Sequence, residues 1–136
     1  MPKTIIVPVA LAQVEKAKAM LDVARQLGGE DGNIVLVTVI EDVPGYIAAE
    51  LPTGLLENAA EEARGQLRTL ARNAGLELAV EVRKGSPATA ILDVANERKA
   101  DVIVIASHRP GLQDYFLGST AARVVRHAKC SVHVIR

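Results

Sequence analysis

Apolar residues in this chain follow two kinds of pattern, short unbroken runs and longer stretches with a helical period. Three apolar runs rich in β-branched residues predict buried strands at residues 4–9, 34–40 and 101–106. An alternating run at residues 78–82 predicts a shorter strand near a sheet edge, and Ser131–Ile135 predicts the last strand.

The stretches between these strands carry four helical patterns, predicted at residues 14–27, at Leu55–Asn73, from Pro87 onwards and at residues 118–127. Ser86 is the predicted N-cap of the third helix, because Pro87 suits the first helical position. We expect the inward faces of the first two helices to comprise Val14, Ala17, Met20, Leu21, Ala24 and Leu27, and then Leu55, Ala59, Ala63, Leu67 and Leu70.

The resulting order, β-α-β-α-β-α-β-α-β, predicts an α/β fold in which a five-stranded parallel sheet is covered by helices on both faces. We expect a single domain over residues 1–136. Residues 41–54 (EDVPGYIAAELPTG) have no clear period, so we expect a mobile loop there. Ligands of such sheets bind at the carboxyl ends of strands, where the strand order reverses.

Composition narrows the classes of function. Basic and acidic residues number 16 each and only three residues are aromatic, so nothing indicates binding to nucleic acid or to an anionic membrane surface. Cys130 is the single cysteine and zinc-ligand spacing is absent, which is typical of a reducing compartment. No apolar stretch approaches the roughly 18 residues of a membrane span. We therefore expect a cytoplasmic protein.

Residues 106–119 (ASHRPGLQDYFLGS) carry the strongest functional signal, because they join a buried strand to a predicted helix N-terminus. Small residues let backbone N–H groups approach a phosphate, and the helix dipole adds about half a positive charge. The groups in question are the glycines Gly111 and Gly118, the hydroxyls of Ser107, Ser119 and Thr120, and the cationic side chains His108 and Arg109. The alternative is a plain connection, with Gly111 as a turn residue and Ser119 as an N-cap.

The sequence motifs of several enzyme classes are absent from this chain. The chain has no G-x-x-x-x-G-K-[ST], no G-x-G-x-x-G after the first strand and no G-x-S-x-G. A phosphoacceptor receiver domain needs acidic residues where this chain has Ala10, Leu11, Arg83 and Lys84. Cys130 is interpreted as a packed thiol and His133 as a residue of a solvated edge or an interface. We expect neither catalytic residues nor a metal site.

These residues, taken together, resemble the universal stress protein family, and within it the short bacterial F-type proteins. The matching segments are IIVPV, VTVIEDVP, KGSPATAILDVANERKADVIVIASHRPG and LGSTAARVVRHAKCSVHVIR. They are distributed from residue 5 to residue 136, so the resemblance covers essentially the whole chain. The resemblance implies a flavodoxin-like or Rossmann-like fold. It also implies a homodimer formed through the final strand, Ser131–Ile135, whose apolar edge would otherwise stay open.

Many members of the family bind ATP through G-x2-G-x9-G-[ST] after the fourth strand, so the resemblance implies ATP or a related adenine nucleotide as ligand. Gly118 and Ser119 match the closing pair, whereas the first glycine of the motif is Ala106 here. Pro8 and Val9 match the start of the adenine site, but the usual Asp that follows is Ala10. The predicted nucleotide site therefore comprises Pro8, Val9, Ala10, Val39, Ala106, Ser107, His108, Arg109, Gly111, Gly118, Ser119 and Thr120.

Three hypotheses follow. The first is a nucleotide-binding stress-response module, with the presence of Mg²⁺ left open. The second, motivated by Ala10 and Ala106, is a protein-interaction module of the same fold that acts through its dimer surface or residues 41–54. The third is weak ATP hydrolysis or self-phosphorylation, for which Asp114 is the only acid in the 106–119 segment.

Overall fold

The computed structural model describes residues 2–41, 45–76, 78–107 and 118–136. Its sheet has five strands, which are Thr4–Pro8 (β1), Asn33–Ile40 (β2), Ala79–Lys84 (β3), Val102–Ala106 (β4) and Ser131–Ile135 (β5). All neighbouring strands are parallel and their order is β3-β2-β1-β4-β5, which confirms the predicted fold class. The order reverses between β1 and β4, so this is the position where a ligand crevice is expected.

The described helical segments are the 3₁₀ segment Leu11–Lys16 and the α-helices Ala17–Gly28 (α1), Gly45–Ala48 (α2), Leu55–Asn73 (α3), Pro87–Glu97 (α4) and Ser119–His127 (α5). α1 and α3 pack on one face of the sheet, and α4 and α5 pack on the other. Among the described residues, no helix combines the length and apolar character needed to cross a bilayer.

Two apolar layers hold the helices to the sheet, because successive strand residues point to opposite faces. In β1, Ile5 and Val7 lie in the layer under α1 and α3, whereas Ile6 lies in the layer under α4 and α5. All three side chains are fully buried. This two-sided burial explains why the strands read as unbroken apolar runs rather than as alternating patterns.

Some helix and strand boundaries match those predicted from the sequence, and others differ. Leu55–Asn73 and Ser131–Ile135 have the predicted bounds. β3 is an outer strand as expected, but it runs to Lys84 and, at six residues, is not shorter than β1, β4 or β5. The first α-helix begins at Ala17 rather than Val14, because the preceding residues form the 3₁₀ segment. The prediction that residues 41–54 lack regular structure was wrong, since they include the one-turn helix α2, which is too short to show a sequence period.

Two of the predicted inward residues are exposed. Val14 is 41% exposed, since the tighter turn of the 3₁₀ segment takes it off the apolar stripe of α1. Leu55 is 42% exposed at the first position of α3, while Ala63 and Leu67 further along are buried as expected. Ser86 occupies the N-cap position of α4 with extended backbone, but its side chain does not cap the helix.

Candidate functional site

A cavity of about 460 Å³ lies at the carboxyl ends of β1, β2 and β4, at the point where the strand order reverses. The ladder between β1 and β4 is short, with only Ile5 and Ile6 of β1 in register with β4. Pro8 stands where β1 would next donate a hydrogen bond toward β4, and proline has no N–H. Pro8 therefore helps the two strands part and opens the crevice.

The β1–β2 side of the cavity is closed by an exchange of hydrogen bonds beyond the end of β1. The Val9 N–H donates to the Val37 carbonyl at 2.7 Å, continuing the ladder. The next rung would join the Val39 N–H to the Val9 carbonyl, but that carbonyl accepts the Thr38 hydroxyl at 2.8 Å instead. Val39, which lines the cavity, therefore presents its backbone groups toward the space beyond β1.

Lys16 reaches across the cavity from the end of the 3₁₀ segment. Its ammonium donates to the Ser107 carbonyl at 3.1 Å, directly after β4. Ser107 is also held from the other side, since its N–H donates to the Ile135 carbonyl at 2.7 Å. In the part of the chain that the structure describes, the charged side chains lining the cavity are Lys16 and Glu41.

The opposite wall is built from helix N-termini. Gly118 precedes α5 with φ 84° and ψ 154°, a conformation that is essentially restricted to glycine. This geometry leads directly into Ser119 and Thr120, which line the cavity at the first turn of α5. Pro87 at the start of α4 and Ala17 at the start of α1 line it too. The N-termini of α4 and α5 thus meet at one cavity, and each favours a negatively charged group. Ala17 does not add a third, because its N–H already donates to the Val14 carbonyl.

The structure brings most of the predicted site residues together. Those that line the cavity are Pro8, Val9, Ala10, Val39, Ala106, Ser119 and Thr120. Ser107 and Gly118 are adjacent in sequence to lining residues, at the end of β4 and the start of α5. His108, Arg109 and Gly111, with Asp114 of the third hypothesis, lie outside the described residues.

Two contributors were missed by the sequence reasoning. Thr38 is the buried polar residue of β2 and the only hydroxyl in the apolar run IVLVTVI, which was a readable signal. Lys16 gave no such signal, because its role depends on a contact with Ser107, 91 residues away.

Cys130 lies outside this cavity lining and is half-buried. Burial raises the pKa of its thiol, which disfavours the reactive thiolate and agrees with its interpretation as a packed thiol. His133 is exposed on the outer strand β5, as expected for a solvated edge or an interface.

Comparison with known proteins places these features in a family. The model of the Universal stress protein family matches residues 1–136. Universal stress protein G from Salmonella typhimurium is 32% identical over 145 residues, a match that covers 100% of both chains.

Two solved structures extend the comparison to the fold. The universal stress protein UspA from Lactobacillus plantarum superposes with a TM-score of 0.76 at 26% identity, covering 98% of this chain and 97% of the other. A universal stress protein in complex with cAMP superposes with a TM-score of 0.65 at 20% identity, covering 99% and 97%.

Proposed function

Because the chain belongs to the universal stress protein family, we propose that it binds ATP or a related adenine nucleotide in the cavity at the reversal of strand order. In this proposal the protein is a cytoplasmic binding or regulatory module of a stress response. Catalysis is not part of the proposed role, and release or transfer of the γ-phosphate would contradict that part of it.

The observation that carries the proposal is the pairing of two chemically different walls in one cavity. Val39 offers backbone groups beside apolar side chains such as Val9 and Met20, which suits a flat base with hydrogen-bonding edges. Ser119 and Thr120 offer hydroxyls at a helix N-terminus, which suits phosphate. The cavity volume of about 460 Å³ also lies within the range of small-molecule sites.

A structural neighbour gives further support. The neighbour in complex with cAMP shares the fold, so this architecture holds an adenine nucleotide in at least one other protein. Two residues of the lining depart from the family pattern stated above: Ala106 replaces a glycine with another small residue, whereas Ala10, which is exposed, removes the usual Asp. We therefore expect binding that relies on the phosphate-facing wall more than on the nucleoside-facing one.

Gly118→Ala tests this assignment. Alanine is strained at φ 84° and ψ 154°, so the first turn of α5 should shift and ATP affinity should fall about tenfold or more. Gly65→Ala is the matched control, because Gly65 is exposed within α3 and a Cβ there meets nothing within 4 Å. Calorimetric titration of both variants with ATP measures the difference, and equal affinities would refute the site assignment.

A second candidate function is a protein-interaction module without a nucleotide. The one-turn helix α2 favours it, since Tyr46 is 76% exposed and Ile47 is 38% exposed on its surface. The two functions separate in one measurement on untreated protein. A nucleotide that co-purifies and is released on heat denaturation supports the first, whereas no released nucleotide and no titratable ATP binding support the second.

We also propose that the protein is a homodimer that pairs through β5. This strand is an outer strand of the sheet, and its sequence SVHVI has no formally charged residue at neutral pH. An unprotected edge of this kind is a template for pairing, and a twofold axis would cover it with its own copy.

A further inference from the structure

Lys16 stands at the junction of two helical segments. It is the last residue of the 3₁₀ segment, where a cation is favourable, and it directly precedes α1, where a cation is mildly destabilising. It also makes no hydrogen bond that caps the helix. The electrostatic preferences of these two ends offset each other, so the contact that distinguishes Lys16 is the one it makes in the cavity.

Lys16 lines the cavity, and the hydrogen bond that its ammonium makes is partly buried. Its hydrogen bond to the Ser107 carbonyl fixes the end of the side chain at the junction of the 3₁₀ segment and β4. An ammonium carries three N–H donors, and the Ser107 carbonyl takes one. A ligand in the cavity would meet a cation that is already positioned and does not need to be ordered on binding.

The surrounding charges strengthen this preference. The N-termini of α4 and α5 contribute Pro87 and Ser119 to the lining, and each end carries about half a positive charge. Within the described lining, Glu41 is the one carboxylate that opposes them. In the described part of the lining Lys16 and Glu41 contribute one formal charge of each sign, so it is the helix ends that favour an anion.

We propose that Lys16 is a specificity-determining residue that contacts an anionic group of the ligand, so that the cavity selects phosphorylated ligands over neutral ones. This inference rests on the proposed nucleotide site and deepens it. Lys16 supplies locally the positive charge that a phosphate needs, so selection of the phosphorylated ligand does not require Mg²⁺.

The test compares ATP with adenosine on two variants, by calorimetric titration in the presence of EDTA. Lys16→Met keeps the length of the side chain and removes its charge. We expect its affinity for ATP to fall about tenfold, the lower end for a charge-assisted hydrogen bond, while its affinity for adenosine stays unchanged. Lys18→Met is the control, because Lys18 is exposed and outside the lining, and both of its affinities should match wild type.

Several outcomes would overturn the inference. An unchanged affinity for ATP in Lys16→Met shows that the ammonium does not contact the ligand. An equal fall for ATP and adenosine assigns Lys16 to the shape of the site only. Lys16→Arg retains the charge and should keep most of the ATP affinity, so a loss as large as that of Lys16→Met would also overturn it.

Tripolyphosphate separates this inference from the proposed function. If wild type binds tripolyphosphate but not ATP, and Lys16→Met weakens that binding about tenfold, the nucleotide proposal fails and the role of Lys16 stands. If wild type binds ATP and Lys16→Met binds it equally well, the nucleotide proposal stands and the role of Lys16 is refuted. If wild type binds neither ligand, both are overturned.

Discussion

β3 and β5 are the two outer strands of the sheet, and the chain protects them differently. β3 is packed by α3 on one face and by α4 on the other, whereas the substantial helix packing on β5 comes from α5. β3 carries three charged residues in six, whereas β5 carries only His133 as a titratable group in five. Charged side chains and covering helices are the usual means of keeping a sheet edge unpaired.

The charges of β3 form an ion cluster with the end of α4. The Arg83 guanidinium donates to Glu81 at 2.7 Å and to Glu97 at 3.0 Å, and Arg98 donates to the other Glu81 oxygen. Burial of the Glu81 carboxyl tends to raise its pKa, but the hydrogen bonds from Arg83 and Arg98 outweigh this and hold the pKa below its usual value. The cluster ties the edge strand to its covering helix.

β5 has the opposite character. Val132 and Val134 pack into the layer under α4 and α5, while Ser131 and His133 are exposed on the other face of the strand. Among the described residues, β5 is therefore the edge with fewer charges and less helix cover, and it is the edge through which we propose that two copies pair. The proposed dimer should therefore be sensitive to changes in β5 and insensitive to equivalent changes in β3.

A proline in β5 should have the largest effect. The Ser131 N–H donates inward to Asp101, and the Ile135 carbonyl accepts inward from Ser107, so Val132 directs its N–H outward. Val132→Pro removes that donor without breaking the ladder to β4. Because the interface is twofold, two hydrogen bonds are lost, one from each protomer. The loss should cost about 2 kcal/mol of association free energy, which is a dimer weakened roughly thirtyfold. Sedimentation velocity at micromolar concentration measures the change.

The matched control is the same substitution on the other edge. The Gly85 N–H donates inward to the Ile40 carbonyl, so by the same alternation Val82 directs its N–H outward from β3. Val82→Pro should leave the dimer intact. A dimer lost in Val82→Pro but kept in Val132→Pro would place the interface at β3 instead of β5. A monomeric wild type would refute the proposed dimer.

Removing one charge from the β3 cluster should have an intermediate effect, on stability rather than assembly. Glu81→Gln leaves Arg83 and Arg98 without their shared carboxylate and should cost about 1 kcal/mol of unfolding free energy at neutral pH. Because folding lowers the pKa of Glu81, this contribution is fully present above the pKa of the unfolded chain and is lost as pH falls through the lower pKa of the folded one. Urea unfolding of wild type and Glu81→Gln between pH 7 and pH 3 measures how this difference in unfolding free energy changes with pH.

Glu61→Gln is the control for this measurement. Glu61 pairs with Arg64 on the surface of α3, and its side chain is 73% exposed. An exposed pair of this kind contributes about 0.5 kcal/mol or less. If Glu61→Gln and Glu81→Gln destabilise equally at pH 7, the cluster at β3 is no more than an ordinary surface pair.

The sequence predicted the sheet and its outer strand β3 because these depend on local apolar patterns. It failed at Val14 and Leu55, whose exposure is set by a 3₁₀ turn and by the position of a helix end relative to the sheet. It also missed α2, since four residues show no period. The ion cluster joins residues up to 17 positions apart, so no local pattern revealed it.

The residues of the candidate site also fall into those that the sequence predicted and those that it did not. Pro8, Ser119 and Thr120 were predictable because each stands at the end of a strand or the start of a helix in a recognisable order. Lys16 and Thr38 were not singled out, because their roles arise from hydrogen bonds to Ser107 and Val9 across the fold. Positions at element ends can be read from sequence, but the contacts that shape a cavity depend on tertiary packing.

The smallest expected effect comes from placing a charge on the unprotected edge. His133→Glu gives β5 a carboxylate at an exposed position, and two copies would face each other near a twofold axis. Repulsion between exposed like charges should weaken the dimer about two- to fivefold, and added salt should restore it because exposed charges are screened. Gln66→Glu adds one formal negative charge on the exposed surface of α3 and should leave the dimer unchanged. A salt-independent loss in His133→Glu would point to lost packing at this position, and no loss would place the interface elsewhere than β5.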